Sequence, residues 1–489
     1  MCIRDSPTYI SKDKNYTFSN AIKTKAFWII SIGHAQALLV VSAIGIHQVP
    51  YLENSLGFSK NSAAFAVMLL TAINMIGQMS GGMLADKFPK RKLAALTVLG
   101  HVLAMITLAL ATSTFHIVAY AIIQGLSWGA RTPILTSMRG DYFGRAAFAS
   151  IMGTSQSIAM IGMILGSFGA GFVIDHYGWR WIFLARVPLT ILALGMSLWF
   201  LPTIRKSSEA NLDLISGLLI VASIYFLMLF LHQTQATGWL SSSSTIYLTS
   251  SLIAFCCLLR RQVTLSTPFI PRGLLRRTTV SLGLICNFLM YLAIFVNWFV
   301  LPFFVAEIVG MGPTSIGVFL TIPAMFLLIA SPFGGALADQ THPALVSTMG
   351  MVIIVVFLVS FQNVDHLSTN FGFAVRMAGL GIGMGIFQSS NLSLIMGNVS
   401  THELGIAGGL SGLSRNLGTV CSVVFLGAIF VTLKTTEQDL GVASSAQISD
   451  AVTTYIEAFK FVYGIAAAIG FLGALLNFWL WWNRTYSSY

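Results

Sequence analysis

Long apolar runs alternate with short polar segments along almost the whole chain. A helix needs about 20 apolar residues to cross the hydrocarbon core of a bilayer, and each of these runs ends in Gly, Pro or charged residues, which mark helix ends. The pattern predicts fourteen membrane-spanning helices. Their ranges are 27–50, 62–84, 93–112, 115–136, 148–174, 181–201, 214–232, 245–260, 279–305, 314–338, 344–361, 371–396, 404–432 and 459–482.

Composition supports this interpretation. Of the 489 residues, 56% are hydrophobic and 9% are charged, whereas about a quarter of the residues of a soluble domain are charged. A water-soluble fold has no interior large enough for that much apolar surface, so we predict an all-α polytopic membrane protein. The five cysteines show no metal-binding or redox spacing and are interpreted as small packing residues. We therefore expect neither a metal nor a cofactor.

Lys and Arg residues concentrate on one side of the predicted spans. If the N-terminus is cytoplasmic, 19 of the 27 lie in cytoplasmic segments and four lie on the opposite side. Because cytoplasmic loops carry an excess of positive charge, both termini are predicted to be cytoplasmic, in a plasma membrane or a bacterial inner membrane. The net charge of +11 then reflects orientation in the membrane, and a nucleic-acid partner is not expected.

A phrase at the end of the second predicted span recurs in the second half of the chain. Residues 81–92 read GGMLADKFPKRK, and residues 334–343 read GGALADQTHP. Eight predicted spans separate them, an even number, so both lie on the cytoplasmic side. Such internal repeats are typical of secondary transporters, and we predict two six-helix repeats with two helices inserted between them. The predicted domains are a cytoplasmic tail at 1–26, a six-helix bundle at 27–201, the inserted helices with a basic loop at 202–278, and a second six-helix bundle at 279–489.

The first copy of this phrase resembles the loop signature of the major facilitator superfamily, Gly-x-Leu-Ala-Asp-basic-x-Gly-basic-basic. Pro89 stands where the signature has its second Gly. The matching residues are Gly82, Leu84, Ala85, Asp86, Lys87, Lys90 and Arg91. The resemblance implies the major facilitator fold and a transporter that works by alternating access, not an enzyme.

Different parts of the chain resemble two branches of this superfamily. From residue 177 onward the chain is similar to the fourteen-helix drug–proton antiporters, on segments such as FLTIPAMFLLIASPFGGALAD at 319–339 and ELGIAGGLSGLSRNLGTV at 403–420. The first third, with IHQVPYLENSLGFS at 46–59, is nearer to carboxylate-transporter branches. The resemblance implies proton-coupled efflux of a drug-like or amphipathic molecule, and the alternative is a symporter or uniporter for a small organic acid.

Three positions depart from the antiporter pattern. No Asp lies between residues 26 and 51 in the first helix, and the Arg expected three residues before Gln124 is Ala121. The Gly-Pro step of the fifth helix is Gly166-Ser167 here. Drug antiport is therefore less strongly implied than transport itself.

Asp86 is predicted to act as a gate. A carboxylate is stabilised at the N-terminus of a helix, and the family's packing places such a helix start near STHELG at 400–405. There Ser400 and Glu403 have the spacing of a capping box. We expect Asp86 to latch the two repeats at this helix, with Gly82 allowing close approach. The alternative is a solvated loop that only sets topology.

Further charged residues are assigned to the same gate. Lys87 and Arg91 are predicted to pair with Asp141 or with lipid phosphate. The second phrase has Asp339 but no basic partners, which predicts an asymmetric latch. Arg415 matches the family's Arg in the phrase RNLG.

Polar and aromatic residues within spans are candidates for substrate binding. A charge there costs roughly 2.5–3.5 kcal/mol, so Arg131 in the fourth helix is predicted to hold an anionic substrate or to neutralise a carboxylate. The alternative for Arg131 is snorkelling to the interface. Gln124 and Trp128 on the same helix, with Asn297 and Trp298 on the ninth, provide amides and aromatic rings that suit an amphipathic molecule. Lipid-facing rings are the alternative for the aromatic residues.

No Asp or Glu lies in the middle of a predicted span. Proton coupling is therefore assigned to His34 and His47 in the first helix, because histidine titrates in a useful range, and to Glu53 at its outer end. The alternative is that the histidines are hydrogen-bonded packing residues. The expected partners are a small-molecule substrate, protons and the lipid bilayer, with the protein acting as a monomer.

Overall fold

A computed structural model describes residues 15–201, 213–237, 241–265, 268, 270–271, 273–365, 368–433 and 445–486. Within these ranges the chain forms helices and short connecting segments, with no β-strand. The all-α fold that the apolar runs predict is therefore confirmed.

The first half of the chain contains helices α1 to α10 and one π-helical turn. The turn, Tyr51–Ser55, continues the helix that ends at Pro50. The α-helices are α1 Phe18–Ile22, α2 Lys25–Pro50, α3 Lys60–Lys87, α4 Lys90–Ala109, α5 Thr114–Phe143, α6 Phe148–Tyr177, α7 Trp179–Leu184, α8 Val187–Phe200, α9 Leu214–Thr237 and α10 Ser242–Thr264.

The second half contains helices α11 to α18. A 3-10 turn at Phe361–Asn363 extends α14, and a π-helical turn at Ser422–Leu426 separates α16 from α17. The α-helices are α11 Thr278–Ile294, α12 Val296–Glu307, α13 Pro313–Gln340, α14 Pro343–Ser360, α15 Asn370–Gly397, α16 Leu404–Cys421, α17 Gly427–Leu433 and α18 Ser445–Tyr486.

Twelve segments of the described chain are long and apolar enough to cross a membrane. Two of the predicted spans are not among them. The apolar part of α9 is short, Ile215–Phe230, and the 30 residues of α5 include Arg131, Arg139 and Asp141. The polytopic membrane class is confirmed, and the count of fourteen stays a prediction.

Some predicted spans are interrupted helices. The span at 279–305 consists of α11 and α12 with a break at Phe295, and the span at 404–432 consists of α16, the π-helical turn and α17. Pro302 lies inside α12, where it has no N–H to donate to the helix. Such irregular backbone is tolerated in membrane helices where neighbouring helices cover it.

The described residues form two compact units. The first unit holds residues of Met1–Ile151, Ile158–Arg277 and Met396–Leu413, and the second holds residues of Met152–Ser157, Thr278–Ile395 and Ser414–Tyr489. The start of α16 therefore belongs to the first unit, with α2 to α5, although Thr278–Ile395, which holds α11 to α14 and nearly all of α15, belongs to the second. The domain boundaries proposed from the sequence stay a prediction.

The repeated phrase has the same packing role in each unit. In the first unit, a Cβ on Gly81 of α3 would collide with the backbone of Ala130 in α5. In the second unit, a Cβ on Gly334 of α13 would lie 2.6 Å from the Cα of Ile386 in α15. The first glycine of each phrase thus allows its helix to touch the helix two elements later, which supports an internal repeat.

Candidate functional site

Asp86 caps the N-terminus of α16. Its Oδ1 accepts the backbone N–H of Gly405 at 2.8 Å, and its Oδ2 accepts the N–H of Ile406 at 2.8 Å. These are the second and third residues of α16, whose N–H groups have no partner within the helix. Normally the residue just before a helix supplies the capping side chain, and that side chain accepts one of these two N–H groups. Here one carboxylate of α3 accepts both and places its negative charge at the positive end of the helix.

Glycines bring α3 and α16 into backbone contact at this point. A Cβ on Gly82 would lie 2.5 Å from the carbonyl oxygen of Gly405, and one on Gly409 would lie 2.6 Å from the carbonyl oxygen of Gln78. One turn further along, a Cβ on Gly412 would meet the Gln78 side chain at 2.8 Å. The close approach predicted for Gly82 is therefore observed, and it continues over two turns of α16.

The helix that receives Asp86 starts at Leu404, inside the segment STHELG and at the first residue of the predicted span. The backbone N–H of Ser400 donates to Oε2 of Glu403 at 2.8 Å, which is the bond that the Glu of a capping box makes. The N–H of Glu403 donates to the backbone carbonyl of Ser400 at 3.0 Å, so residues 400–403 form a turn that precedes the helix.

Asp141 pairs with Lys90. Lys90 Nζ lies 2.6 Å from Oδ2 of Asp141, and each side chain is 6% exposed. The sequence predicted Lys87 or Arg91 as partners of Asp141 and did not predict this ion pair with Lys90, the first residue of α4. The pair fixes α4 to α5 beside the Asp86 contact.

Asp339 and Arg415 lie in the second unit. Asp339 is half-buried near the end of α13, as Asp86 is near the end of α3. Arg415 hydrogen-bonds the Tyr291 side chain of α11. It is nine residues beyond Ile406 in α16, which corresponds to about 14 Å along the helix axis.

A buried polar cluster lies between α2, α4 and α5 in the first unit. Nη2 of Arg131 donates to the carbonyl of Gly33 at 2.6 Å, and Nη2 of Arg139 lies 3.4 Å from Nδ1 of His34. The two arginines are 3% and 2% exposed. Arg131 is therefore buried inside the unit, and the snorkelling alternative is not what the structure shows.

Rings and amides complete this polar cluster. Nδ1 of His101 lies 3.0 Å from Oε1 of Gln124. The ring of Trp128 lies 6.4 Å from that of His34 and 6.1 Å from that of His101, measured between centroids. Three predicted residues of α5, Gln124, Trp128 and Arg131, thus belong to the same cluster as His34.

Two members of the cluster were not predicted from sequence. His101 lies in an apolar run without a motif, and Arg139 lies between the predicted spans 115–136 and 148–174. Arg139 is eight residues after Arg131, and that spacing places both on one helix face. This periodicity was the available signal for Arg139, whereas nothing in the sequence marks His101.

The remaining predicted residues lie apart from this cluster along the chain. In the second unit, Asn297 Nδ2 donates to Ile294 O at 2.9 Å, and the Tyr463 hydroxyl donates to Asn297 Oδ1 at 2.9 Å. Trp298 stacks on Phe295 with 5.8 Å between ring centroids. Glu53 is half-buried in the π-helical turn after α2, and His47 lies in α2 with its side chain outside the described part. Among the described residues, no group of three His, Cys, Asp or Glu side chains is placed to hold a metal ion.

Comparison with known proteins identifies the family. The sequence profile of the Major Facilitator Superfamily matches residues 30–420 and, in a second match, residues 283–488. The chain belongs to the major facilitator superfamily. The first match alone spans most of the chain and includes both copies of the repeated phrase, as expected for a major facilitator transporter.

Relatives of this major facilitator protein include proteins named for drug resistance, multidrug export and riboflavin transport. It is 25% identical to a methylenomycin A resistance protein of Bacillus subtilis, over 82% of this chain and 86% of that protein. It is 22% identical to the multidrug export protein EmrB of Escherichia coli, over 77% and 74%. It is also 26% identical to the riboflavin transporter RibZ of Clostridioides difficile, over 67% and 69%.

A solved structure supports the fold. The human organic anion transporter MFSD10 superposes with a TM-score of 0.60, over 92% of this chain and 98% of that one, at 11% identity. At this identity the likeness concerns the fold alone. The protein is therefore a multi-span membrane transporter of the major facilitator fold.

Proposed function

We propose that this protein exports a drug-like or amphipathic organic molecule across the cell membrane by alternating access, with both termini in the cytoplasm and efflux driven by protons. The proposal rests on the two hydrogen bonds that the Asp86 carboxylate accepts from the N–H groups of Gly405 and Ile406. These residues lie 319 and 320 positions later in the chain. The relatives named for drug resistance and export support the substrate class.

The Asp86 contact has the properties of a reversible latch. We define the Asp86 latch as Asp86, Gly405 and Ile406. Hydrogen bonds to a charged group contribute about 1.5–3 kcal/mol each, and water can replace both when α16 leaves α3. The latch is strong enough to hold one state and weak enough to open in each cycle. Lys90 and Asp141 brace α4 and α5 next to it.

The other predicted gate residues take supporting roles in this proposal. Lys87 is the last residue of α3, and Arg91 is the second residue of α4. At these positions their positive charges can interact with lipid phosphate. Asp339 occupies the matching position in the second repeat. Arg415 lies further along α16, the helix that moves when the latch opens. It acts through its contact with Tyr291 of α11.

Substrate contacts are assigned to amide and aromatic side chains. Gln124 and Trp128 belong to the buried polar cluster of the first unit. In the second unit, Trp298 is half-buried, whereas both polar atoms of Asn297 are engaged by protein groups. Trp298 is therefore the stronger candidate of this pair, and Asn297 shapes the wall behind it.

A second function is favoured by Arg131. This buried guanidinium donates to a backbone carbonyl, its Nε has no hydrogen-bond partner, and no described carboxylate forms an ion pair with it. A buried charge without a counter-ion is costly, and a carboxylate on the substrate would supply one. This observation favours a symporter or uniporter for a small organic acid.

Transport in inside-out vesicles distinguishes the two functions. The probes are a lipophilic cationic dye and a radiolabelled monocarboxylate, each with and without an imposed pH gradient. Dye accumulation that requires an acidic vesicle interior supports drug export. Carboxylate movement that Arg131→Gln abolishes, while Arg376→Gln preserves it, supports the second function. Arg376 is a suitable control because its Nε donates to a backbone carbonyl, that of Ser360, at 3.0 Å. If neither probe moves faster than in vesicles without the protein, both assignments of substrate are wrong.

A further inference from the structure

Arg277 contacts the turn that precedes α16. Its Nη1 lies 2.8 Å from Oε2 of Glu403, and its Nη2 lies 3.4 Å from Oε1. Nη1 also donates to the carbonyl of Asn398 at 3.1 Å. Arg277 is the residue before α11 and ends the chain segment that carries α9 and α10. All these residues belong to the first unit.

Two residues at the end of α5 and in the loop after it also contact this turn and the start of α16. Nη2 of Arg145, in the loop after α5, donates to the carbonyl of Val399. A Cβ on Gly140 would lie 2.9 Å from a methyl group of Leu404, so the first residue of α16 packs tightly on α5. Residues 398–404 are therefore positioned by groups outside α16, and α16 starts where those groups place it.

Glu403 raises an electrostatic problem for the latch. It occupies the position just before α16, so its carboxylate and that of Asp86 are both near one helix end. A helix N-terminus stabilises negative charge, but two carboxylates at the same end repel each other. The Glu403 carboxylate accepts the N–H of Ser400 and pairs with Arg277. The N–H groups of Gly405 and Ile406 are thereby left to Asp86.

The ionisation of Glu403 agrees with this arrangement. Burial opposes the charged form of Glu403, but hydrogen bonds from Ser400 and Arg277 outweigh that effect and lower the pKa of its carboxyl group. The group is therefore an anion at neutral pH, and it has a cation beside it. Arg277 supplies the charge that compensates it.

We propose that Arg277 is a positioning residue for the Asp86 latch: by neutralising Glu403, it allows a second carboxylate to occupy the N-terminus of α16. The inference rests on the proposed gating function of Asp86. The proposal also gives the inserted segment, residues 202–278, a role, because Arg277 near its end contacts the turn that precedes α16. The strength of the latch then depends on a residue that touches neither Asp86 nor the substrate.

The test measures the latch directly by cysteine labelling. Leu404→Cys, in a background with the five native cysteines replaced, reports whether the buried start of α16 becomes accessible to a water-soluble maleimide. Asp86→Asn is the reference for an opened latch. Arg277→Gln is expected to raise the labelling rate by roughly two- to five-fold, the range for loss of a partly exposed ion pair. Arg277→Gln combined with Glu403→Gln is expected to return to the unsubstituted rate, because the uncompensated charge is gone.

A second ion pair of the same segment is the matched control. Arg261 Nη2 lies 2.9 Å from Oδ1 of Asp213 and joins the end of α10 to the start of α9. Arg261→Gln should leave labelling of Leu404→Cys unchanged, since this pair does not involve the turn before α16.

Three outcomes separate this inference from the proposed function. If Asp86→Asn does not raise labelling, the latch itself is refuted. If Asp86→Asn raises labelling but Arg277→Gln does not, only the role of Arg277 is refuted. If the Glu403→Gln substitution fails to rescue Arg277→Gln, Arg277 acts as a mechanical clamp through the carbonyl of Asn398, and charge compensation is wrong.

Discussion

Oδ1 of Asp86 lies 2.8 Å from the amide nitrogen of Gly405, although 319 residues separate them in the chain. The second carboxylate oxygen accepts the next N–H, that of Ile406. Both carboxylate oxygens and the full negative charge therefore act at this helix end. An amide or a hydroxyl side chain has only one oxygen acceptor and no charge. One side chain makes both hydrogen bonds, so a single substitution of Asp86 changes both.

Asp86→Asn is expected to reduce the transport rate about tenfold while leaving membrane insertion intact. Asn keeps one acceptor but loses the second bond and the charge, a loss of about 1.5 kcal/mol or more. Initial rates in vesicles, normalised to protein amount, measure the effect. Asp339→Asn, at the matching position of the second phrase, is the control and should reduce transport less. Equal rates for Asp86→Asn and the unsubstituted protein would refute the latch.

Gly82→Ala should open the same contact by steric force. Its Cβ would lie 2.5 Å from the carbonyl oxygen of Gly405, and overpacking of this kind costs about 1–3 kcal/mol. We expect slower transport and faster labelling at Leu404→Cys. Gly45→Ala is the control, because nothing lies within 4 Å of a Cβ at that position. Similar behaviour of the two alanine variants would show that the glycine contact is not required.

Lys90→Gln should destabilise the first unit. It leaves the carboxylate of Asp141, 6% exposed, without its cation, and breaking a buried pair in this way costs about 3–5 kcal/mol. Thermal unfolding in detergent measures the change, and Lys90→Gln with Asp141→Asn should recover part of the loss. Arg261→Gln breaks a more exposed pair and is expected to cost about 1 kcal/mol or less. A melting temperature for Lys90→Gln equal to that of Arg261→Gln contradicts this prediction.

Replacement of His47 by Gln is expected to weaken the response of transport to a pH gradient more than replacement of His34. Nδ1 of His34 lies 3.4 Å from Nη2 of Arg139, so this ring is part of the buried polar cluster of the first unit. His47 lies near the end of α2, six residues before Glu53, and is nearer the outer side in the predicted topology. Rates at several imposed gradients compare the two variants. An unchanged gradient response in both would exclude coupling through the histidines and favour uniport.

Deletion of residues 205–277, with a polar linker in their place, is expected to preserve insertion of the remaining spans. The two predicted inserted helices form an even number, so the orientation of the later helices is retained. The deletion also removes Arg277, and we therefore expect faster labelling at Leu404→Cys. Accessibility of cysteines placed in later loops measures orientation. Inverted accessibility after residue 279 would refute the count of two inserted helices.

Several features could be predicted from sequence because their causes are local. Each apolar run must bury its own backbone hydrogen bonds in lipid, so spans, class and repeat follow from the order of residues. Asp86 was also predictable, since a charged residue at the end of a span is visible in the sequence and the resemblance marks it. The family assignment from residues 81–92 is confirmed by the profile match.

Only the tertiary structure decided which side chains meet. In lipid, the face of a helix that touches its neighbours is as apolar as the face that touches lipid, so the sequence does not show how each helix is rotated about its axis. That rotation selects Lys90 for Asp141 and brings His101 to Gln124. The pairing of Arg277 with Glu403 depends in addition on a loop and a helix start that lie 126 residues apart. Contacts between such distant segments arise from packing of the whole unit, and no local pattern in the sequence encodes them.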